Sequence, residues 1–332
     1  MKLFFSLAAS AMPGFLRVYL VWLLALLFTP EQSASLTAEF LLATALCMFT
    51  GGGFGLVLLR QVANASRQSQ ILTTCSLLVA GIVVSALIGW IAARILQSDT
   101  LNVVLLVVAL STWQIERYGW IAHRKFIWLC GFDILLILSI TFAAVFTPLD
   151  IVTNLLLCHV FCTVFSLIAR TYTWSSSGSE IRISSRLILN GLQMGTTNFI
   201  SGGFLFVLPS LLEATLTAVI LAKLNLAVTA IGALFIIPRS YLNLFMGTLA
   251  RLAHRQKLHI EWVATCMKRV RRIGLVMIIP AIAFVLFYMV ISGYKVQISD
   301  IILATLICAA MVSGQLYLVE SNLLMLLKRE NV

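Results

Sequence analysis

Five ionisable side chains lie inside long apolar stretches of this 332-residue chain: Arg17, Asp133, His159, Lys223 and Glu320. A charge at the centre of a bilayer costs at least roughly 2.5 kcal/mol on insertion scales, so such residues face a cavity or a partner. Arg17 stands mid-helix, one turn after Pro13-Gly14, with no acid within four residues. One reading makes it a cation facing a water-filled cleft, ready for an anionic headgroup; the other pairs it with an acid on another helix. Lys223 is the second candidate cleft cation, with snorkelling to the outer surface as its alternative. Asp133 and Glu320 carry the chemistry to bind a coupling proton or cation, or to neutralise Arg17 or Lys223. The imidazole of His159 titrates near physiological pH and suits proton handling; the alternative is a hydrogen-bonded structural histidine. Asn190, Asn198 and Asn225 either bind sugar hydroxyls or bridge helices.

Metal and covalent chemistry find less support. Cys158, His159 and Cys162 put three possible metal ligands on one helical turn, yet no second cluster completes a site. Six of the seven cysteines lie in or beside apolar runs, where Cys behaves as a small hydrophobe, and no disulfide framework is implied. No phosphate-binding loop, HExxH or GxSxG pattern occurs, and no loop is long enough for a catalytic domain. The expectation is a protein that is not an enzyme and holds no cofactor or metal.

The elements that position these residues follow from composition. Apolar residues make up 61% of the chain and charged residues 11%, against about 25% charged in soluble domains. Too few polar residues remain to cover a water-soluble surface, which excludes a soluble fold and a disordered chain. Spans of about 20 apolar residues cross a bilayer, and the chain offers ten: 4–28, 40–59, 71–95, 101–120, 126–146, 151–169, 187–212, 218–237, 273–292 and 301–327. The first runs on past Pro13 and Arg17 without a cleavage site, and reads as a retained helix. Apolar sequence continues beyond the eighth span to Leu252, so a kink is expected at Pro238.

Nineteen of the 23 basic residues, Arg117 and Arg170 among them, fall in one set of connections. The alternate set holds Arg94 and Lys295 with the acids Glu31, Glu39, Asp99, Asp150, Glu213 and Asp300. Cytoplasmic loops carry the excess of Lys and Arg. Both termini are therefore expected inside, and the net charge of +11 reads as topology signal and lipid-headgroup contact, with no nucleic acid as partner. The polar stretch 171–186 divides an N-terminal bundle of six helices (1–170) from a C-terminal bundle of four (187–332). It reads as a cytoplasmic linker. Helices two and eight echo one another, ending Gly53-Phe54-Gly55-Leu56-Val57-Leu58-Leu59-Arg60 and Gly232-Ala233-Leu234-Phe235-Ile236-Ile237-Pro238-Arg239, as in an internal pseudo-repeat. Gly51–Gly53 and Gly55, with Gly191-x-x-x-Gly195, permit close helix contact; Pro13, Pro209, Pro238 and Pro280 interrupt four helices.

The stretch Gly14–Arg60 contains Phe28-Thr29-Pro30-Glu31 and then Gly53-x-Gly55-Leu56-x-Leu58-Leu59-Arg60-Gln61-Val62-Ala63. It resembles the opening helix pair of polysaccharide flippases, of O-antigen type, in the multidrug/oligosaccharidyl-lipid/polysaccharide (MOP) exporter superfamily. So does the region with Ala222-Lys223-Leu224 and Ile237-Pro238-Arg239. The resemblance implies a carrier of the bacterial inner membrane, working by alternating access between two lobes. Its cargo would be undecaprenyl-pyrophosphate-linked oligosaccharide for a surface polysaccharide such as lipopolysaccharide. Relatives line their cleft with cations, a character that Arg17 and Lys223 match. Implied partners are the lipid-linked oligosaccharide, membrane lipids, and a polysaccharide polymerase or other assembly proteins. The family has twelve or fourteen helices, so a second lobe of four is incomplete by comparison. The alternatives are a cation-coupled multidrug exporter, or a truncated, inactive or accessory membrane protein.

Overall fold

The computed structural model describes residues 2–62, 66–173, 185–238, 241–242, 260–316 and 319. Every regular element among them is helical: α1 (Lys2–Leu27), α2 (Pro30–Val62), α3 (Arg67–Leu96), α4 (Thr100–Ala122), α5 (Phe126–Phe146), α6 (Ile151–Thr173), α7 (Ser185–Asn198), α8 (Leu208–Leu212), α9 (Ala218–Leu234), α10 (Ile260–Val276), α11 (Ile278–Ile291) and α12 (Ile298–Leu316).

Helix α3 is inverted relative to a helix of a soluble protein. The buried side of α3 carries Gln70, Thr73, Thr74, Gly81, Ser85 and Gly89. Its exposed side carries Leu72, Val79, Val83, Leu87, Ile91 and Ile95. On α5, Ile134, Leu138, Phe142 and Phe146 likewise point outward. An apolar exterior of this extent is stable against lipid and not against water, while small and polar residues let helices approach inside. Seven stretches of described helix are long and apolar enough to cross a membrane: Phe4–Leu27, Pro30–Gln61, Arg67–Leu96, Phe126–Phe146, Ile151–Tyr172, Ala218–Pro238 and Glu261–Ile291. The chain is an all-α, multi-pass membrane protein.

Helix ends follow local chemistry. Asp99 caps α4, its Oδ1 accepting from the amides of Leu101 (2.9 Å) and Asn102 (3.0 Å). Glu39, expected in an outer connection, is buried within α2, where it accepts from Asp99 N and Asn102 Nδ2. Proline sets two interruptions. The ring of Pro clashes with the carbonyl four residues earlier: α9 ends at Leu234, four before Pro238, and α10 ends at Val276, four before Pro280. The kink expected at Pro238 is therefore seen as a break at Phe235, after which 236–238 are helical again. In contrast, α1 runs unbroken through Pro13. The polar stretch before the ninth span, read as a connection, is helical from Ile260 onward, as α10. The span expected at 187–212 is not one regular helix. After α7 come a π turn (Phe199–Gly203) and a 3-10 turn (Phe204–Val207) before α8; Gly202, Gly203 and Pro209 lie in or beside this irregular stretch.

By its contacts the chain forms two compact units, Met1–Ala38 with Leu212–Val332, and Glu39–Leu211. This grouping is not the sequence order of 1–170 and 187–332, because α1 packs on α9 while α7 packs on α2. In the first unit, Tyr288 of α11 donates to Val18 O at 2.8 Å, and a Cβ on Gly14 would lie 3.0 Å from Ala233 Cα. In the second unit, α2 wedges between α4 and α7. A Cβ on Gly53 would overlap Gly191 O, and one on Gly195 would overlap Phe49 O. On the other side, a Cβ on Gly51 would sit 2.8 Å from Ser111 Cα, beside a 2.6 Å hydrogen bond between the Thr50 and Ser111 hydroxyls. Gly51, Gly53 and Gly195 are sites of close approach to backbone, whereas Gly55 and Gly191 make room for the rings of Tyr118 and Phe54.

Candidate functional site

In the unit containing α1, α9 and α12, Arg17 is buried and its Nε donates to Pro13 O at 3.2 Å, one turn back on the same helix. Lys223 is held at 2.8 Å from Asp300 Oδ2 and at 3.0 Å from Lys295 O. Asp300 occupies the third position of α12, and its Oδ2 also accepts from Gln297 N at the helix start, at 2.8 Å. The carboxylate thus caps α12 and neutralises Lys223 together. Two residues along α9, Asn225 is buried and its Nδ2 donates to Ala34 O of α2 at 2.8 Å. It bridges helices, the second of its two readings. A small cavity beside it is lined by Ser33, Thr37, Ala222 and Tyr294. Burial raises the pKa of Tyr294.

Arg17 and Lys223 stand at different depths. Gly14 lies against Ala233, and Val21 and Ala25 share the cavity wall with Ala222 and Asn225, so α1 and α9 run antiparallel. Lys223 is level with about residue 24, roughly 10 Å along the axis from Arg17 at 1.5 Å per residue.

The second unit holds two further charge centres. Asp133 of α5 is paired with Arg117 of α4, and Trp113 Nε1 donates to its Oδ1 at 3.2 Å. Neither Arg17 nor Lys223 is the partner that neutralises it. Glu116, next to Arg117, pairs with Arg170 of α6: Nη2 to Oε2 at 2.6 Å and Nε to Oε1 at 2.9 Å, with neither side chain exposed. Ser166 donates to Glu116 Oε1 at 3.1 Å, Trp120 Nε1 to Ser166 Oγ at 2.6 Å, and Arg170 Nη2 to Thr74 Oγ1 of α3 at 3.3 Å. Gly119 leaves room for the guanidinium, which a Cβ there would overlap. Just beyond α4, His123 has its pKa lowered to about 4, first by burial and then by the nearby cations Arg170 and Lys125. The pKa of Asp150, ahead of α6, is lowered by its hydrogen bonds to Thr153.

His159 is buried, its Nδ1 at 2.7 Å from Leu155 O on its own helix. Among the described residues no three His, Cys, Asp or Glu side chains are grouped to hold a metal ion. Glu320 lies outside the described residues. Sequence reasoning misses the Glu116–Arg170 centre, because Arg117 and Arg170 both fall among the connection charges. A signal is present all the same: adjacent residues on a helix point about 100° apart, so Glu116-Arg117 in an apolar segment cannot satisfy each other and require two partners.

The geometry thus defines a multi-pass helical membrane protein whose buried charges are distributed over both units. No known protein family and no curated protein matches the chain. Among solved structures, its fold is similar to that of a eukaryotic MATE transporter, AtDTX14. The TM-score is 0.61 and the identity 14%, over 100% of this chain and 83% of that one. It is also similar to a MOP superfamily transporter from Pyrococcus furiosus, with a TM-score of 0.53 and 13% identity, over 97% of this chain and 84% of that one. At such identities the likeness is one of fold.

Proposed function

We propose that the chain is a membrane carrier of the MOP superfamily type. It would move undecaprenyl-pyrophosphate-linked oligosaccharide from the cytoplasmic to the periplasmic leaflet of the bacterial inner membrane, both termini inside, by alternating access. The single observation that supports a carrier is the likeness of fold, over the whole chain, to two transporters. The choice of cargo rests on the sequence resemblance and on Arg17, a buried cation in α1. A guanidinium offers charge-assisted hydrogen bonds that offset the burial of a pyrophosphate. Lys223, committed to Asp300, plays the supporting part of fixing α9 to α12. Asp133 is already neutralised by Arg117, which weighs against it as the coupling acid of a drug exporter.

Loss of the chain should leave lipid-linked repeat units facing the cytoplasm, inaccessible to an external glycosidase or lectin in spheroplasts. Arg17→Ala should reproduce that accumulation while the protein still inserts. Normal surface glycan with raised drug sensitivity in the deletion strain would replace this reading with that of a cation-coupled exporter.

A further inference from the structure

The second half of α10 reads Lys268-Arg269-Val270-Arg271-Arg272. The helix is sharply two-sided. Val263, Cys266, Val270 and Gly274, at spacings of three and four, are buried in the unit. Lys268, Arg269 and Arg272 are exposed on the opposite side. The fourth base is already used: Arg271 Nε donates to Leu316 O of α12 at 2.9 Å. Among the described residues the exposed three form no ion pair, and Arg269 reaches the Tyr241 hydroxyl at 3.5 Å.

Two physical facts say what this side faces. Its depth is set by the next two turns of the chain: Leu275, Val276 and Ile279 are 53%, 66% and 79% exposed, so the lipid-facing apolar surface begins within a turn of Arg272. The three bases therefore lie where hydrocarbon gives way to headgroups. Their spacing is the second fact. Arg272 neighbours Lys268 at i,i+4 and Arg269 at i,i+3, an arrangement of like charges that destabilises a helix unless an anion lies among them. An amphipathic helix free in the interface would bury its apolar side in lipid. Here that side is packed against protein, which leaves the cations fixed and turned outward.

We propose that the exposed side of α10 formed by Lys268, Arg269 and Arg272 is a docking surface for the phosphate of anionic phospholipid headgroups. A membrane-surface base contributes about a fivefold gain in anionic-lipid partition, so three acting together give roughly a hundredfold preference over zwitterionic lipid. The surface is separate from Arg17 and does not depend on the identity of the transported lipid.

The full chain, purified in a neutral detergent, is titrated with phosphatidylglycerol or phosphatidylcholine and bound lipid is counted by native mass spectrometry. Wild type should retain phosphatidylglycerol preferentially. The triple variant Lys268→Gln, Arg269→Gln, Arg272→Gln should lose most of that preference, and Lys268→Gln alone should lower it about fivefold. Wild-type retention should also weaken as salt is raised, a readout that needs no variant to fold. Unchanged phosphatidylglycerol retention in the variants, or retention indifferent to salt, overturns the proposal. A triple variant that keeps phosphatidylglycerol but releases undecaprenyl pyrophosphate overturns it too, because the surface would then serve a different phosphate-bearing lipid.

Discussion

Glu116 of α4 and Arg170 of α6, fifty-four residues apart, form an ion pair of 2.6 Å in which neither side chain reaches the surface. The next residue, Arg117, points about 100° away around the helix and pairs with Asp133 of α5. Two consecutive charges on one helix thus tie it to two neighbours. In a segment surrounded by lipid, apolar contacts do not favour one helix neighbour over another, since lipid tails are as apolar as leucine. Buried ion pairs do, because every wrong pairing leaves an uncompensated charge.

Removing one member of the Glu116–Arg170 pair should therefore cost far more than removing both. Arg170→Met strands the carboxylate among α3, α4 and α6, and about 3–5 kcal/mol of stability should go with it. Glu116→Leu with Arg170→Met should recover most of that loss. Unfolding midpoints in mild detergent for the two singles and the double measure the coupling, and strictly additive losses would contradict it.

Much of this arrangement is legible in the sequence. An apolar run of twenty residues has few options but a helix across a bilayer, so 126–146 and α5 coincide. Glycine spacing marks α2 and α7 as helices suited to close contact, without saying that they meet each other, and Pro238 and Pro280 lie four residues beyond the ends of α9 and α10. Partners are not legible. Lys223 gives no sign that Asp300 lies opposite, seventy-seven residues on, since pairing is set by which helices meet. Arg170 resembles a loop charge because it lies at the end of an apolar run; only the meeting of α6 with α4 makes it interior. The break from α7 through a π and a 3-10 turn is hidden for another reason. Gly and Pro permit irregular turns without requiring them.

The glycines separate into those that carry packing and those that do not. Gly53→Ala would drive a methyl into the Gly191 carbonyl, and backbone on both sides cannot yield cheaply, so expression or melting temperature should fall sharply. Gly131 lies on α5 with nothing within 4 Å of its Cβ position. Gly131→Ala should stabilise by about 0.5–1 kcal/mol, the helix-propensity difference. Thermal melts of both variants in the same detergent check the contrast; a Gly53→Ala chain as stable as wild type would refute the close approach.

Lys223 has two roles to tell apart, the cleft cation expected from sequence and the strut to Asp300 seen in the fold. If the strut is its task, Asp300→Asn should impair the protein much as Lys223→Ala does, and the double variant should be no worse than either single. A cation that touches cargo predicts otherwise: under the proposed function, Lys223→Ala would abolish glycan export and Asp300→Asn would spare it. Export measured beside detergent stability in the three variants separates these outcomes.

Acid should weaken the α4–α5 corner through His123. Its pKa in the fold is lowered from an ordinary 6.5 to about 4 by burial, with Arg170 and Lys125 adding repulsion. Between those values the unfolded chain binds a proton that the folded chain refuses. Stability from this residue is therefore fully present above about pH 6.5 and is lost as the pH falls toward 4. The wild-type unfolding midpoint should thus drop between pH 7.5 and pH 5 by more than that of His123→Asn, which has no proton to take up. The difference between the two chains isolates this histidine from every other group titrating in the same interval. Parallel curves would mean that the half-buried imidazole keeps an ordinary pKa in the fold despite Arg170 and Lys125 nearby.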